Sequence, residues 1–206
     1  MSTRPVIAVD VDEVLANNAK GFTDFSNQRW GTTLVPTDYT EDWVKMWQID
    51  GAEADMRAET FFKSNAMLYY DHDPTALEVL QKLRQSYDLI IVTARRLETK
   101  GDTLLWIRER FPGIFIDDKI FFAGFWDKTK VDSTAAHAKN KGELLKELGA
   151  DYLIDDQLKH CIGAGEQGIP AVLFGNYPWN KADALPSSVT RVDGWSEVLE
   201  YFNARA

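Results

Sequence analysis

Cysteine is almost missing from this sequence: Cys161 is the sole thiol in 206 residues. No intrachain disulfide can form, and a reducing compartment is the natural home. Long apolar runs are missing as well, none approaching the ~20 residues of a membrane span. The opening Met1-Ser2-Thr3-Arg4-Pro5 runs straight into a strand-like segment and leaves no room for a signal peptide. These absences lead us to expect a cytoplasmic protein with no membrane partner. Basic residues are scarce beside acidic ones, 23 Lys and Arg against 32 Asp and Glu, for a net charge of -9, and no Lys/Arg run occurs. A chain that grips a polyanion carries a basic face, so extended nucleic acid is excluded as a partner while a small phosphorylated ligand is not. The three histidines, His72, His137 and His160, are too widely spaced to suggest a zinc site or a catalytic triad. Internal repeats and low-complexity tracts are absent.

What is present is an ordinary globular composition, 45% hydrophobic and 27% charged. The length suits one large α/β domain, or one domain carrying an insertion. Short continuous apolar runs recur at 6–9, 89–92, 120–122, 152–154 and 171–174, each reading as a strand buried on both faces. Helical patterns separate most of them. Pro74 opens one, with Leu77, Leu80 and Leu83 along one face; others cover 103–111, 142–148 and 195–202, and Gly149 stands at a good C-cap position. Strands alternating with helices predict a Rossmann-like, doubly wound parallel α/β sheet. Between Leu15 and Asp73 the rhythm breaks into an aromatic-rich stretch without a strand signal. We read 16–73 as a mostly helical cap inserted after the first strand, and 1–15 with 74–206 as the core. Ligands of open α/β sheets bind at the strand ends, where such a cap would sit. Gly163, Gly165 and Gly168 match a dinucleotide glycine pattern, but they fall at a helix end before a strand, the reverse of the required order.

Asp10 and Asp12 leave the first strand one residue apart. At about 4 Å and an effective dielectric near 20, two such carboxylates repel by about 4 kcal/mol. Asp155 and Asp156 follow another strand, and in a parallel sheet all of these ends share one edge. Four converging carboxylates call for a hard cation, and Mg²⁺ suits carboxylates, waters and a substrate phosphate. Thr93, at the end of the 89–92 run, with Ala94 and Arg95 behind it, offers a hydroxyl and backbone N–H groups to an anion. Lys141 opens a helix, the unfavourable end of its dipole for a cation, which is explained if its ammonium reaches the aspartates. Lys139 and Lys146 are the alternatives.

In order, Asp10-Val11-Asp12-Glu13-Val14, Ile91-Val92-Thr93-Ala94-Arg95, Lys141 and Leu153-Ile154-Asp155-Asp156 resemble the four signature blocks of the haloacid dehalogenase superfamily. The likeness is strongest to the 5'(3')-deoxyribonucleotidase-type family, through Glu41-Asp42-Trp43, Thr103-Leu104-Leu105-Trp106 and Phe174-Gly175-Asn176-Tyr177-Pro178-Trp179-Asn180. The resemblance implies that Asp10 is a nucleophile forming an aspartyl-phosphate and that Asp12 is the general acid and base. It implies Mg²⁺ on the Asp10 carboxylate, the Asp12 backbone carbonyl, Asp155 and Asp156, and phosphoryl oxygens on Thr93, Ala94 and Lys141. Asp12 favours a phosphatase over a dehalogenase, which needs no acid there. The expected substrate is a nucleoside monophosphate, with cap tryptophans Trp43 and Trp47 as stacking candidates. A sugar or other small phosphate monoester is the alternative, as is a module that binds a phosphorylated ligand without turnover. Glu13 departs from the glycine of many relatives and would either crowd the site or point into the cap. The oligomeric state is left open, a homodimer included.

Overall fold

The computed structural model describes residues 4–123 and 140–205, so Lys139 and His137 lie outside the described residues. All five apolar runs are strands: β1 Val6–Val9, β2 Asp88–Thr93, β3 Ile120–Phe122, β4 Tyr152–Asp155 and β5 Ala171–Phe174. They pair in parallel in the order β3-β2-β1-β4-β5, and a sixth strand, β6 Val189–Val192, extends the sheet beyond β5. The sequence reading does not mark β6. Its Val-Thr-Arg-Val buries only the two end residues, so it has no continuous apolar run.

Period-two alternation fills both faces of the sheet. Ile7, Val9, Leu89, Ile91 and Ile154 join the core on one face, and Ala8, Ile90, Val92 and Leu153 join that on the other. The first face is covered by α4 (Pro74–Leu83), α5 (Lys100–Arg110) and α8 (Trp195–Asn203), the second by α6 (Lys141–Glu147) and α7 (Leu158–Glu166). The local signals behave as expected. Asp73 accepts the Thr75 N–H at 2.8 Å with Pro74 in the first helical turn of α4. Asn140 caps α6 by accepting the Glu143 N–H at 3.0 Å, and Gly149 takes a left-handed φ of 67° just past its end. Helix α5 begins three residues before the predicted 103, led in by a tight turn at Leu97–Thr99. Of the glycine-rich stretch, Gly163 and Gly165 lie inside α7 and Gly168 is a turn with φ 79°.

Residues 16–73 hold three helices and no strand, α1 Asn18–Trp30, α2 Trp43–Trp47 and α3 Gly51–Phe62, with an irregular stretch at 31–42 between the first two. Their aromatic rings pack on one another: Phe22 meets Phe61 at 4.7 Å, Trp43 at 4.8 Å and Trp47 at 5.5 Å. This cluster is continuous with the sheet face of Ile7, Val9 and Ile91. Two chain crossings link it to the sheet, and they are bonded to each other, Asn17 N–H to the Asp71 carbonyl at 2.8 Å. Buried tryptophans of α5 and α8, the helices over the first face of the sheet, hold both crossings. Trp195 Nε1 donates to the Val14 carbonyl at 3.2 Å, and Trp106 Nε1 to the Tyr70 carbonyl at 3.0 Å. Among the described residues no helix is long and apolar enough to cross a membrane.

Candidate active site

The central position of β1 decides where the chemistry sits. Val9 pairs with Ile91 on one side and Ile154 on the other, so Asp10, the turn after Thr93 and the Asp155-Asp156 pair emerge together at one sheet edge. Asp10, Asp155 and Asp156 each bring a carboxylate oxygen within 4.8 Å of the others, and all three are buried. Lys141 reaches them from the start of α6. It is 1% exposed, and its Nζ lies 2.6 Å from Asp10 Oδ1 and 2.5 Å from Asp155 Oδ2. The short reach depends on Gly142, where an added Cβ would stand 2.2 Å from the Gly163 carbonyl oxygen, so α6 lies directly on α7. Lys146, the other described alternative, approaches Gln167 instead.

The protonation equilibria record this crowding. Burial, then the charges of Asp155 and Asp12, push the Asp10 carboxyl up to about 6 against the pull of Lys141. Burial works against the Asp155 charge as well, but Lys141 and His160 outweigh it and hold that carboxyl well below the usual range. Asp156 is driven well upward by burial and by Asp155 and Asp10, although Trp179 Nε1 donates to it at 2.6 Å. Burial opposes the Lys141 charge, yet the two aspartates more than compensate and raise it. One cation thus offsets three carboxylates only in part, which is the electrostatic condition for taking up a divalent ion. The all-oxygen donor set fits a hard cation such as Mg²⁺.

Asp12 stands apart from that trio. Its carboxylate is gripped by Arg95, with Nε at 3.1 Å from both oxygens and Nη2 at 2.6 Å from Oδ1. Arg95 is buried, and its Nη1 donates to Thr103 Oγ1 at 3.1 Å. Thr93 is fully buried, and its Oγ1 accepts the Arg95 N–H at 3.2 Å, so it shapes the turn that aims the guanidinium, while Ala94 lines the cavity. Asn180 is a further buried member. Its Nδ2 donates to the Asp156 carbonyl at 2.9 Å and the Phe174 carbonyl at 3.2 Å, binding the loop after β5 to the acidic pair. Sequence reasoning uses that loop for the family resemblance and gives no site role to the side chains of Arg95, Trp179 or Asn180. The signals were an arginine directly after a strand end and a loop dense in turn residues.

Of the two courses expected for Glu13, crowding the site or pointing into the helical insertion, it takes the second. Its backbone has φ 60°, the left-handed region that suits glycine, and its carbonyl accepts the Tyr177 hydroxyl at 3.1 Å. The carboxyl turns to the start of α1 and accepts the Ala19 N–H at 2.9 and 3.1 Å, a cap that Asn17 does not provide. Burial pushes it up to about 8.

A cavity of about 380 Å³ opens over Asp10, Asp12 and Asp156 and reaches into the helical insertion. Phe22, Trp43, Phe61 and Phe62 line that end, and the Arg96 guanidinium lies 4.4 Å over the Phe62 ring. Trp43 is therefore on the cavity wall. Trp47 is buried in the core beside it, donating from Nε1 to Ser26 Oγ at 3.2 Å, and is not among the lining residues.

Comparison with known proteins bears on family and fold. The family described as 5' nucleotidase, deoxy (pyrimidine), cytosolic type C matches residues 4–206. Proteins of Staphylococcus epidermidis RP62A and Staphylococcus aureus Mu50, each named "Putative 5'(3')-deoxyribonucleotidase", are 28% identical to this chain. The matches cover 98% of both chains for the first, and 97% of this chain and 96% of the relative for the second. Among solved structures, a haloacid dehalogenase-like hydrolase of Streptococcus pneumoniae aligns with TM-score 0.67 and 17% identity over 98% of this chain and 100% of its own. A haloacid dehalogenase family hydrolase of Deinococcus radiodurans R1, which holds phosphate and sodium, aligns with TM-score 0.64 and 15% identity over 99% and 97%. The structural likenesses speak for the fold, and the family match, spanning nearly every residue, speaks for kinship. The chain belongs to the 5' nucleotidase, deoxy (pyrimidine), cytosolic type C family of phosphoric monoester hydrolases, and its fold is that of the haloacid dehalogenase-like hydrolases.

Proposed function

We propose that the chain is a Mg²⁺-dependent nucleotidase that removes phosphate from nucleoside monophosphates, with Asp10 as nucleophile. The observation that carries this reading is the position of Asp10. It is buried at the end of the central strand, bonded to Lys141, and faces a cavity whose far wall is aromatic. Mg²⁺ would be held by the Asp10, Asp155 and Asp156 carboxylates with the Asp12 backbone carbonyl, and would neutralise charge on the phosphoryl group. An Asp10 oxygen attacks phosphorus, the ester P–O bond breaks, and Asp12 gives its proton to the departing oxygen. Water then attacks the aspartyl-phosphate, Asp12 takes a proton from it, and Asp10 is regenerated with release of inorganic phosphate. Lys141, Thr93 and the Ala94 N–H would carry phosphoryl oxygens. Arg95 acts one step back, as a positioning residue that orients the Asp12 carboxylate.

In this reading residues 16–73 are the cap, 1–15 and 74–206 the core, and Trp43 a wall against which a flat base can lie. The test is a panel of nucleoside 5'- and 3'-monophosphates, ribo and deoxy, with Mg²⁺ and with chelator. Turnover that needs the metal and vanishes in Asp10→Asn is expected. An active Asp10→Asn protein would remove the nucleophile. No turnover of p-nitrophenyl phosphate by the pure wild-type protein would favour a binding module.

A further inference from the structure

The phosphoryl chemistry above asks nothing of the loop after β5, yet residues 175–180 are built around Asp156. Asn180 Nδ2 donates to its backbone carbonyl at 2.9 Å, and Trp179 Nε1 donates to its Oδ2 at 2.6 Å. The backbone and the carboxylate of one residue are thus bonded from adjacent positions of one loop. The indole is held in place. It stacks on Tyr177 with ring centroids 4.8 Å apart and an interplanar angle of 5°, and it lies edge-to-face with Tyr39 at 5.8 Å. Tyr177 is fixed in its turn. Its hydroxyl donates to the Glu13 carbonyl at 3.1 Å and its N–H to Asn180 Oδ1 at 3.0 Å. Its ring covers Gly175, where an added Cβ would collide with it.

A second donor reaches the same carboxylate oxygen, Gln157 Nε2 at 3.2 Å. Each oxygen of a carboxylate offers about two lone-pair sites. Trp179 and Gln157 occupy both on Oδ2, so Oδ1 is the atom left to meet an ion. Lys141 is bonded to Asp10 and Asp155, so an indole and an amide rather than a cation orient the third carboxylate. The number of oxygens offered bears on which ion is held. Mg²⁺ demands near-ideal octahedral geometry, which a carboxylate gripping with both oxygens distorts. The larger Ca²⁺ takes about six to eight oxygens and accepts carboxylates in either mode.

We propose that Trp179 is a positioning residue for the metal: with Gln157 it fixes Asp156 as a one-oxygen ligand, which sets the affinity for Mg²⁺ and the preference for it over Ca²⁺. This deepens the Mg²⁺-dependent reading and rests on it for the place of the ion.

The experiment is calorimetric titration of the full chain with MgCl₂ and, separately, CaCl₂, with no phosphate ester present. Trp179→Phe keeps a ring on Tyr177 and removes the donor. Mg²⁺ affinity should fall about tenfold or more, and Ca²⁺ affinity by less, so that the ratio of the two narrows. Gln157→Met removes the other donor without touching the loop and should narrow the ratio in the same direction. Melting in chelator checks the fold of each variant, and a role in packing alone would lower the melting temperature there while leaving both affinities unchanged. A smaller loss of Mg²⁺ affinity in Trp179→Phe, or a ratio that narrows in neither variant, overturns the proposal alone. A wild-type chain that takes up neither ion overturns the Mg²⁺-dependent reading along with it.

Discussion

Lys141 is the residue on which the acidic centre balances. Replacing it by Met leaves Asp10 and Asp155 facing each other out of reach of water. Breaking a buried pair in this way typically costs about 3–5 kcal/mol. Denaturant unfolding in chelator should show a loss of that order, and added Mg²⁺ should restore part of it by supplying the missing positive charge. Asp12→Asn should cripple turnover more than metal binding, since its carboxylate is turned to Arg95 rather than to the trio. A loss of Mg²⁺ affinity equal to that of Asp155→Ala would contradict this. Glu13 sets a pH dependence. Its folded value of about 8 lies above its ordinary 4.5, so the folded state holds the proton more tightly. Its contribution to stability is complete below about pH 4.5 and is lost as the pH rises through 8, falling between those limits by about 1.4 kcal/mol for each pH unit. In metal-free protein, Glu13→Gln should flatten that decline in a pH series of melts. The aspartates and Lys141 were legible in the sequence because charges at buried strand ends demand an explanation. Arg95 was not, because its partner lies 83 positions away and nothing local shows that the side chain is turned inward.

At the scale of elements, the contact of α6 with α7 controls the reach of Lys141. Gly142→Ala would drive a methyl into the Gly163 carbonyl, so the helix must move. Overpacking of this kind costs about 1–3 kcal/mol, and here it should also lower phosphatase activity by withdrawing the ammonium. Activity lost only in proportion to the unfolded fraction would show that the helix position is immaterial. Asn180→Ala strips hydrogen bonds from the Asp156 and Phe174 carbonyls, and about 1–3 kcal/mol of stability should go with them in chemical denaturation. Five strands could be read from apolar runs because both of their faces are covered. The sixth escaped for the opposite reason: at the sheet's edge Thr190 is exposed and Arg191 half-buried, so the hydrophobic signal is halved. Helix starts were less legible than helix existence, as α5 shows, since the turn at Leu97–Thr99 continues into it with no break in composition.

For the molecule as a whole, taking up Mg²⁺ should appear as stability, because the unfolded chain holds no such cluster. At a hundred times the dissociation constant the gain is about 2.7 kcal/mol, visible as a rise in melting temperature that Asp155→Ala abolishes. The interval 16–73 could be recognised from its aromatics and its missing strand, and its regular elements are all helices. Its relation to the sheet was not legible, because hydrophobic periodicity tells which residues are buried but not against what. The two crossings carry the consequence. Bonded to one another and each held by an indole, they are a riveted collar rather than a swivel, and the aromatic stack above continues the sheet's own interior. Amide protons of α1 and α3 should therefore exchange about as slowly as those of the sheet, and faster exchange confined to these two helices would show that the collar yields.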